Sequence, residues 1–421
     1  MMTHNSFDER YEFTGKVKSW SLIAIVIGVI TIIAGLLTKT EQTFDNLLLM
    51  GYYFTCVCAA GVMFCAIQYA AQAGWSASLL RVPQAFMKVL PIAAAILVLI
   101  VLCGLFITHK VVGEDGKEHI TPYLYASWAT HDLHIKDSGI YDNLVSGKSG
   151  FLNVPFFLIR MIGMLAGYSI FGYLLYKYSS NEDEVGGMKF YNKSFVISCV
   201  FLVFFGFTIP VFAFDTIMSL EARWFSTMFG WYNLAALWIT GLSVMTLVII
   251  YLRKAGYLPW ITQNHLHNMG IFMFAFSVFW TYLWFAQYLL TWYANIPEES
   301  AYFYRRMDPS FKPWFWLNIV INFAAPLLAL MSRDSKRYTS VLKTMCIILI
   351  IGHWLDYWQM IMPGTIGPKE SWLVEFSWIE PGVFIGFAGL FTFLLLTALS
   401  KFKSLIPKKH PFLEESLHHH I

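Results

Sequence analysis

The sequence predicts an all-α, polytopic membrane protein, and three observations carry this prediction. Of the 421 residues, 57% are hydrophobic and only 13% are charged, whereas soluble proteins carry about 25% charged residues. The apolar residues form ten runs, each about long enough to span a bilayer as a helix. No polar stretch between them is long enough for a sizeable soluble domain. We therefore treat residues 1–421 as a single integral membrane domain.

The ten predicted spans follow one another with short connections, except for one long loop. A charged N-terminal segment precedes the first span, and no cleavable signal peptide is evident. Counting alone suggests two four-helix bundles, one in residues 47–214 and one in 230–362. Span 1 within residues 19–46 and span 10 would flank them, followed by a tail at 400–421. The predicted spans are 19–38, 47–71, 89–108, 151–175, 193–214, 230–251, 269–293, 313–331, 340–362 and 378–399.

Lysine and arginine are distributed unequally between the two sets of loops. The N-terminus, the tail and alternate loops are rich in these cations, whereas residues 39–46, 215–229 and 363–377 hold one each. The positive-inside rule then predicts that both termini lie in the cytoplasm. The long loop, residues 109–150, would lie outside and cover the helices or meet a partner.

Span 9 contains two ionisable side chains within an apolar run. His353, Asp356 and Gln359 are spaced by three residues, so they share one arc of a helix. Asp356 lies about 24 Å along the span from its inner end, in the outer half of the membrane. An acid inside the membrane is costly and is by default a candidate functional group. The alternative is a structural aspartate that accepts hydrogen bonds from a neighbouring helix.

Arg160 is the one arginine well inside a predicted span. Its depth below the outer end of span 4 is similar to that of Asp356. An Arg160–Asp356 pair would neutralise both charges and be purely structural. The alternative is a site for a polar headgroup or a mobile proton.

Further polar residues are concentrated on the outer side. Asp215 follows Pro210 at the end of span 5, Glu380 begins span 10, and Gln287, Asn318 and Asn322 lie in outer halves. The outer candidates for a proton path or a quinone site are Asp356, His353, Arg160, Asp215, Glu221, Glu380, Gln359, His131 and Asp132.

The inner halves of the spans differ. His265 and His267 lie at the inner end of span 7 and are candidates for the point where protons enter. No carboxylate falls within the inner half of a predicted span, so a chain of acids across the whole membrane is not expected. Only His353 is deep enough to ligate haem, and the six cysteines show no metal-binding spacing. We therefore predict no metal site and no redox cofactor in this chain.

Two stretches resemble a known family. "FDTIMSLEARWFSTMFGWYNLAALW" (214–238) and "HLHNMGIFMFAFSVFWTYLWFAQYLLTWYANIPEES" (265–300) are similar to ActF, a membrane subunit of bacterial alternative complex III. This family is related to the NrfD-type membrane subunits of polysulfide reductase. The chain departs from the family pattern at Ala222 and Arg223, where Pro-His is expected, and at Asn268, where Asp is expected.

The resemblance implies a role and a set of partners. It implies a non-redox subunit of a quinol:cytochrome c, or high-potential acceptor, oxidoreductase in a bacterial inner membrane. The expected partners are a multihaem cytochrome c, an Fe–S protein, an ActC-like sister subunit, small membrane subunits and lipids, with a terminal oxidase as a further candidate. Haems c and Fe–S clusters would belong to those partners, menaquinone could bind, and no nucleic acid is expected. The resemblance does not assign the quinol-binding residues of ActC to individual positions of this chain. A secondary transporter and a purely structural anchor remain open alternatives.

Overall fold

The structure, a computed structural model, describes residues 10–112, 116–366 and 377–419. Ten of the helices in this described part are long and apolar enough to cross a membrane, so the predicted all-α polytopic fold is confirmed. The membrane-spanning helices are α1 (Gly15–Thr38), α2 (Thr40–Ala70), α3 (Arg81–Phe106), α6 (Val154–Val185), α7 (Met188–Thr216), α8 (Thr227–Lys254), α9 (Gln263–Ala294), α11 with α12 (Lys312–Ile319 and Ala325–Leu330), α13 (Thr339–Thr365) and α14 (Ile379–Ser400).

The remaining elements are short and lie between or after the spans. Two antiparallel strands form a hairpin in which Thr108 pairs with Pro122. The short elements are β1 (Thr108–Val112), β2 (Glu118–Pro122), α4 (Ala126–Ala129), α5 (Asn143–Gly147), α10 (Pro297–Arg306) and α15 (Leu413–Leu417).

The connections define two faces of the molecule. We call the side that carries residues 107–153, 217–226 and 295–311 the loop face. Its segments contact one another; for example, the Lys148 ammonium donates to the Ala222 carbonyl at 2.7 Å. The opposite side, the terminal face, carries residues 10–14, 71–80, 255–262 and the tail 401–419. There the backbone N–H of Ser78 donates to the Ser416 hydroxyl at 3.1 Å. The cytoplasmic location of the terminal face stays a prediction.

Eight spans pack as two groups of four, with α2 at the contact between the groups. Helices α2, α3, α6 and α7 contact one another in a ring, and α8, α9, α11–α12 and α13 form a second ring. The centre of α2 is almost wholly buried, because it contacts α7 in its own group and α8, α13 and α14 outside it. This position between the groups explains why α2 carries few of the exposed apolar side chains that face lipid.

The first and last spans form a separate pair beside these groups. The backbones of α1 and α14 meet at Gly28 and Gly386, where a Cβ atom on either residue would collide with the other backbone. Small residues allow such a close approach, and close packing is the main force that joins helices within a bilayer. Gly382 likewise leaves room for the Thr31 side chain, which a Cβ atom at residue 382 would meet. The pair packs mainly against α2 and α3.

Candidate functional site

Asp356 of α13 lies fully buried against three other membrane-spanning elements. Its carboxylate accepts hydrogen bonds from the Tyr232 hydroxyl of α8, from the Trp280 indole N–H of α9 at 3.0 Å and from the Asn318 amide of α11 at 2.8 Å. Three donors from three helices converge on one acid of α13. An isolated buried carboxylate would be costly, and these donors replace much of its lost hydration.

His353 lies one helical turn closer to the terminal face than Asp356 and is also fully buried. Its Nδ1 atom is 3.7 Å from an Asp356 carboxylate oxygen, and its ring packs edge-on against Trp280. Within the described ranges, neither ring nitrogen of His353 has a hydrogen-bond partner. Among the described residues, both nitrogens of this imidazole are therefore available for a new hydrogen bond beside the Asp356 carboxylate.

A π-helical segment positions two asparagines against α13. Residues Val320–Ala324 form this wider turn between α11 and α12. The Asn322 amide donates to the Gly352 carbonyl at 3.0 Å and to the Asn318 side-chain oxygen at 2.6 Å. Asn318 in turn donates to Asp356. Single π-helical turns occur often at functional sites, because they redirect side chains within a helix.

Asp356 borders a small polar cavity on its loop-face side. The cavity has a volume of ≈ 20 Å³, and its polar lining includes Gln287, Arg306 and Gln359. About 10–15 Å³ suffices for one water molecule when several polar partners surround it. The cavity can therefore hold a water molecule that contacts Asp356. Gln359 belongs to this site, as the three-residue spacing along span 9 indicates.

Arg306 and Glu221 connect this cavity to the rest of the loop face. The buried Arg306 guanidinium donates to a Glu221 carboxylate oxygen at 2.9 Å and to the backbone carbonyls of Gln359 and Met360. Arg305 donates to the second Glu221 oxygen at 3.0 Å. Glu221 also lines a larger cavity of ≈ 840 Å³, which we call the loop-face vestibule. Polar groups thus connect Asp356 to the vestibule.

The vestibule is bordered by a second ion pair. Arg223 contacts the Asp142 carboxylate at 2.6 Å, and both residues line this cavity. Burial alone would raise the pKa of Asp142. The Arg223 guanidinium and the backbone N–H groups of Val145 and Leu144 outweigh that effect and hold the pKa below its usual value. Asp142 is therefore an anion at neutral pH that fixes the long loop to residues 217–226.

The suggested Arg160–Asp356 pair is wrong. Arg160 instead makes a bidentate contact with Asp215 of α7, with both N–H···O distances at 2.8 Å. Phe151 and Phe156 both contact its guanidinium, with ring centroids 3.8 and 4.1 Å from the central carbon. Arg160 and Asp215 bind each other, and neither lines the cavity beside Asp356. This pair therefore forms a separate structural site.

The other outer candidates are also dispersed. Glu380 is buried and accepts hydrogen bonds from Gln42, Asn46 and the Ser377 backbone N–H. Asp132 contacts His119 at 2.7 Å in the long loop, and His131 is exposed. None of these three candidates lines the cavity beside Asp356.

The terminal face holds the two candidate histidines in different surroundings. His265 is buried, caps the start of α9 with Thr262 and lies 3.3 Å from the Ser78 hydroxyl. His267 is buried near the cations of the 333–337 segment. Towards the membrane centre, Met273 contacts Ser243 and Cys346 through sulfur. These sulfur contacts do not form a polar path between His265 and His353.

Two acids on the terminal face lie on a helical extension that the predicted spans did not include. α6 continues to Val185, ten residues beyond the predicted end, and so includes Glu182 and Asp183. Asp183 pairs with the buried Arg81 of α3. Glu182 is fully buried, and neither of its carboxylate oxygens has a hydrogen-bond partner among residues that the structure describes. Hydropathy did not predict this extension, because the run "YSSNEDE" (178–184) is hydrophilic.

The sequence pattern also missed Tyr232, Trp280 and Arg306. Asn318 and Asn322 were recognisable, since their four-residue spacing places both on one helix face. Across 10–112, 116–366 and 377–419, no group of three or more His, Cys, Asp or Glu residues is arranged to hold a metal ion. No protein-family model and no curated protein matches the chain.

Proposed function

We propose that this chain is a non-redox membrane subunit of a quinol-oxidising respiratory complex, in which Asp356 and His353 pass protons towards the loop face. The observation that carries the proton-transfer role is the buried Asp356–His353 pair. Asp356 has three donors, and the ring nitrogens of His353 have no hydrogen-bond partner among the described residues. The water-sized cavity beside Asp356 is lined by Arg306, which in turn contacts Glu221. Quinol oxidation releases protons, so such a complex needs a route of this kind.

The quinol-oxidising part of the proposal is supported by the resemblance of residues 214–238 and 265–300 to ActF. Purification of the native complex tests it directly. A multihaem cytochrome c, an Fe–S protein and a sister membrane subunit should co-purify with this chain, together with quinol:acceptor activity. Isolation of the chain alone or with unrelated transport proteins would contradict this part of the proposal.

Replacement of Asp356 tests the proton-transfer role. Asp356→Asn keeps the shape and the acceptor oxygen for one donor but removes the exchangeable proton. In proteoliposomes that contain the purified complex, we expect quinol turnover and coupled proton release to fall about 100-fold, within the usual contribution of a positioned acid or base. Asp45→Asn is the matched control, because Asp45 is another buried aspartate near the loop face that does not line the cavity. Unchanged turnover and proton release in an intact Asp356→Asn complex would refute the role.

A structural anchor is the second candidate function, and one observation favours it. Both carboxylate oxygens of Asp356 already accept hydrogen bonds, as expected for an acid that joins α8, α9 and α11 to α13. In that case Asp356→Asn would reduce the yield of assembled complex while the assembled fraction keeps its full turnover. Quantifying assembly and turnover on the same preparation separates the two functions.

A further inference from the structure

An apolar groove lies between the α1–α14 pair and the second group of helices. Its volume is ≈ 430 Å³, and its surface is almost entirely hydrocarbon and aromatic. The lining comes from five helices and includes Val17, Val57, Val248, Ile350 and Ala388. The groove does not share a residue with the cavity beside Asp356. It is therefore a separate site with separate chemistry.

The groove has the length of one lipid leaflet. Its lining on α14 extends from Phe384 to Leu396, which is about 18 Å along a helix. Half of a bilayer's hydrocarbon core is about 15 Å. The groove reaches the terminal face at Val17 and Tyr251, near the ends of α1 and α8. A single extended acyl chain can therefore enter from that face and lie along α14.

The groove's terminal-face end is positively charged. Lys16 and Lys18 flank Val17 and are exposed, and Arg253 and Lys254 follow Tyr251. With Arg10, residues 10–18 and 251–257 carry five cations and one acid, Glu12. The Tyr11 and Tyr251 hydroxyls lie 3.2 Å apart at this end. Clustered lysine and arginine beside a membrane attract anionic headgroups.

We propose that this groove binds one acyl chain of an anionic phospholipid, whose phosphate lies against Lys16, Lys18, Arg253 and Lys254. The apolar lining accounts for the chain, and the excess of cations accounts for the headgroup. A neutral isoprenoid would use the lining but would gain nothing from these charges. The inference is independent of the proposed function, since it concerns a different surface of the protein.

Native mass spectrometry of the full-length chain tests the proposal. The chain is purified from nanodiscs that contain equal amounts of phosphatidylglycerol and phosphatidylcholine, and retained lipid is counted. Ala388→Trp fills the groove. Val203→Trp, on the exposed surface of α7 away from the groove, is the control. We expect Ala388→Trp to lower retained phosphatidylglycerol about tenfold and Val203→Trp to leave it unchanged, with both variants melting near the wild-type temperature.

A second variant examines the headgroup. Lys16→Gln with Lys18→Gln should keep the amount of retained lipid but lower the preference for phosphatidylglycerol over phosphatidylcholine by about fivefold or more. Equal retention by Ala388→Trp and wild type would overturn the proposal, and so would retention of a quinone instead of a phospholipid. An unchanged lipid preference in the lysine double variant would overturn the anionic assignment.

Discussion

The Arg160–Asp215 pair offers a quantitative test of how this protein accommodates charge near the loop face. The Asp215 side chain is fully buried, and only 12% of the Arg160 side chain is exposed. At 2.8 Å, the attraction is about 6 kcal/mol for an effective dielectric constant of about 20. Desolvation offsets much of this, so the pair adds little net stability. Removal of one partner, however, leaves the other charge buried and costs about 3–5 kcal/mol.

The expected costs are asymmetric. Arg160→Met leaves Asp215 without either guanidinium hydrogen bond, and we expect a loss of about 3–5 kcal/mol in the free energy of unfolding. Asp215→Asn should cost less. Arg160 would still donate to the Phe151 carbonyl at 3.0 Å and contact two aromatic rings. The double variant should be more stable than Arg160→Met alone, because it contains no unpaired charge.

Reversible unfolding of the full chain in mixed micelles, followed by circular dichroism, measures all four proteins of this double-mutant cycle. We expect a coupling energy of at least about 2 kcal/mol. A loss below about 1 kcal/mol for Arg160→Met, or single-variant effects that simply add, would refute the assignment as a buried structural pair. Under the proposed function, quinol turnover of the assembled double variant should match wild type, since the pair lies outside the Asp356 cavity.

Three further outcomes follow from the local contacts. Asn318→Leu removes one donor to Asp356 and should cost about 1.5–3 kcal/mol in unfolding free energy, measured in the same micelles; a neutral effect would contradict the contact. Burial, and secondarily Arg81, lowers the pKa of His410 to about 4. The tail should therefore stay packed on the terminal face above pH 6.5. The free energy that holds it there should fall by up to about 3 kcal/mol as the pH falls towards 4. Hydrogen exchange of residues 401–419 measures this loss, and His410→Gln should abolish it. Asp142 has a lowered pKa, so its stabilisation is present above about pH 4 and is lost in more acidic solution. Exchange in residues 141–148 should rise there in wild type, and Asp142→Asn should show that faster exchange already at pH 7.

The spans could be predicted because a bilayer imposes one strong requirement, a long apolar helix with internal hydrogen bonds. That requirement says less about where a helix ends outside the hydrocarbon. α6 includes the polar residues 176–185 because they pack against α3 and the tail, and hydropathy does not report such contacts. Glu182 and Asp183 were therefore assigned to a loop.

The site was predicted to the extent that it lies on one helix. The three-residue spacing of His353, Asp356 and Gln359 follows from helical geometry alone. The donors Tyr232 and Trp280 lie on other helices, 124 and 76 residues away from Asp356. Partner choice between distant helices depends on packing, which is also why Arg160 was matched with the wrong aspartate.

The Gly28–Gly386 crossing has a consequence for biosynthesis. α1 is synthesised before the other nine described spans, and α14, its main packing partner, follows more than 300 residues later. At about 5–20 residues per second, the glycine surface of α1 stays without its partner for about 20 to 70 seconds. During this interval α1 is held in the bilayer by its own hydrophobicity, the second highest of the ten spans after α3. The contact between α1 and α14 therefore forms late in synthesis. A chain truncated before α14 would keep α1 in the membrane without its main packing partner.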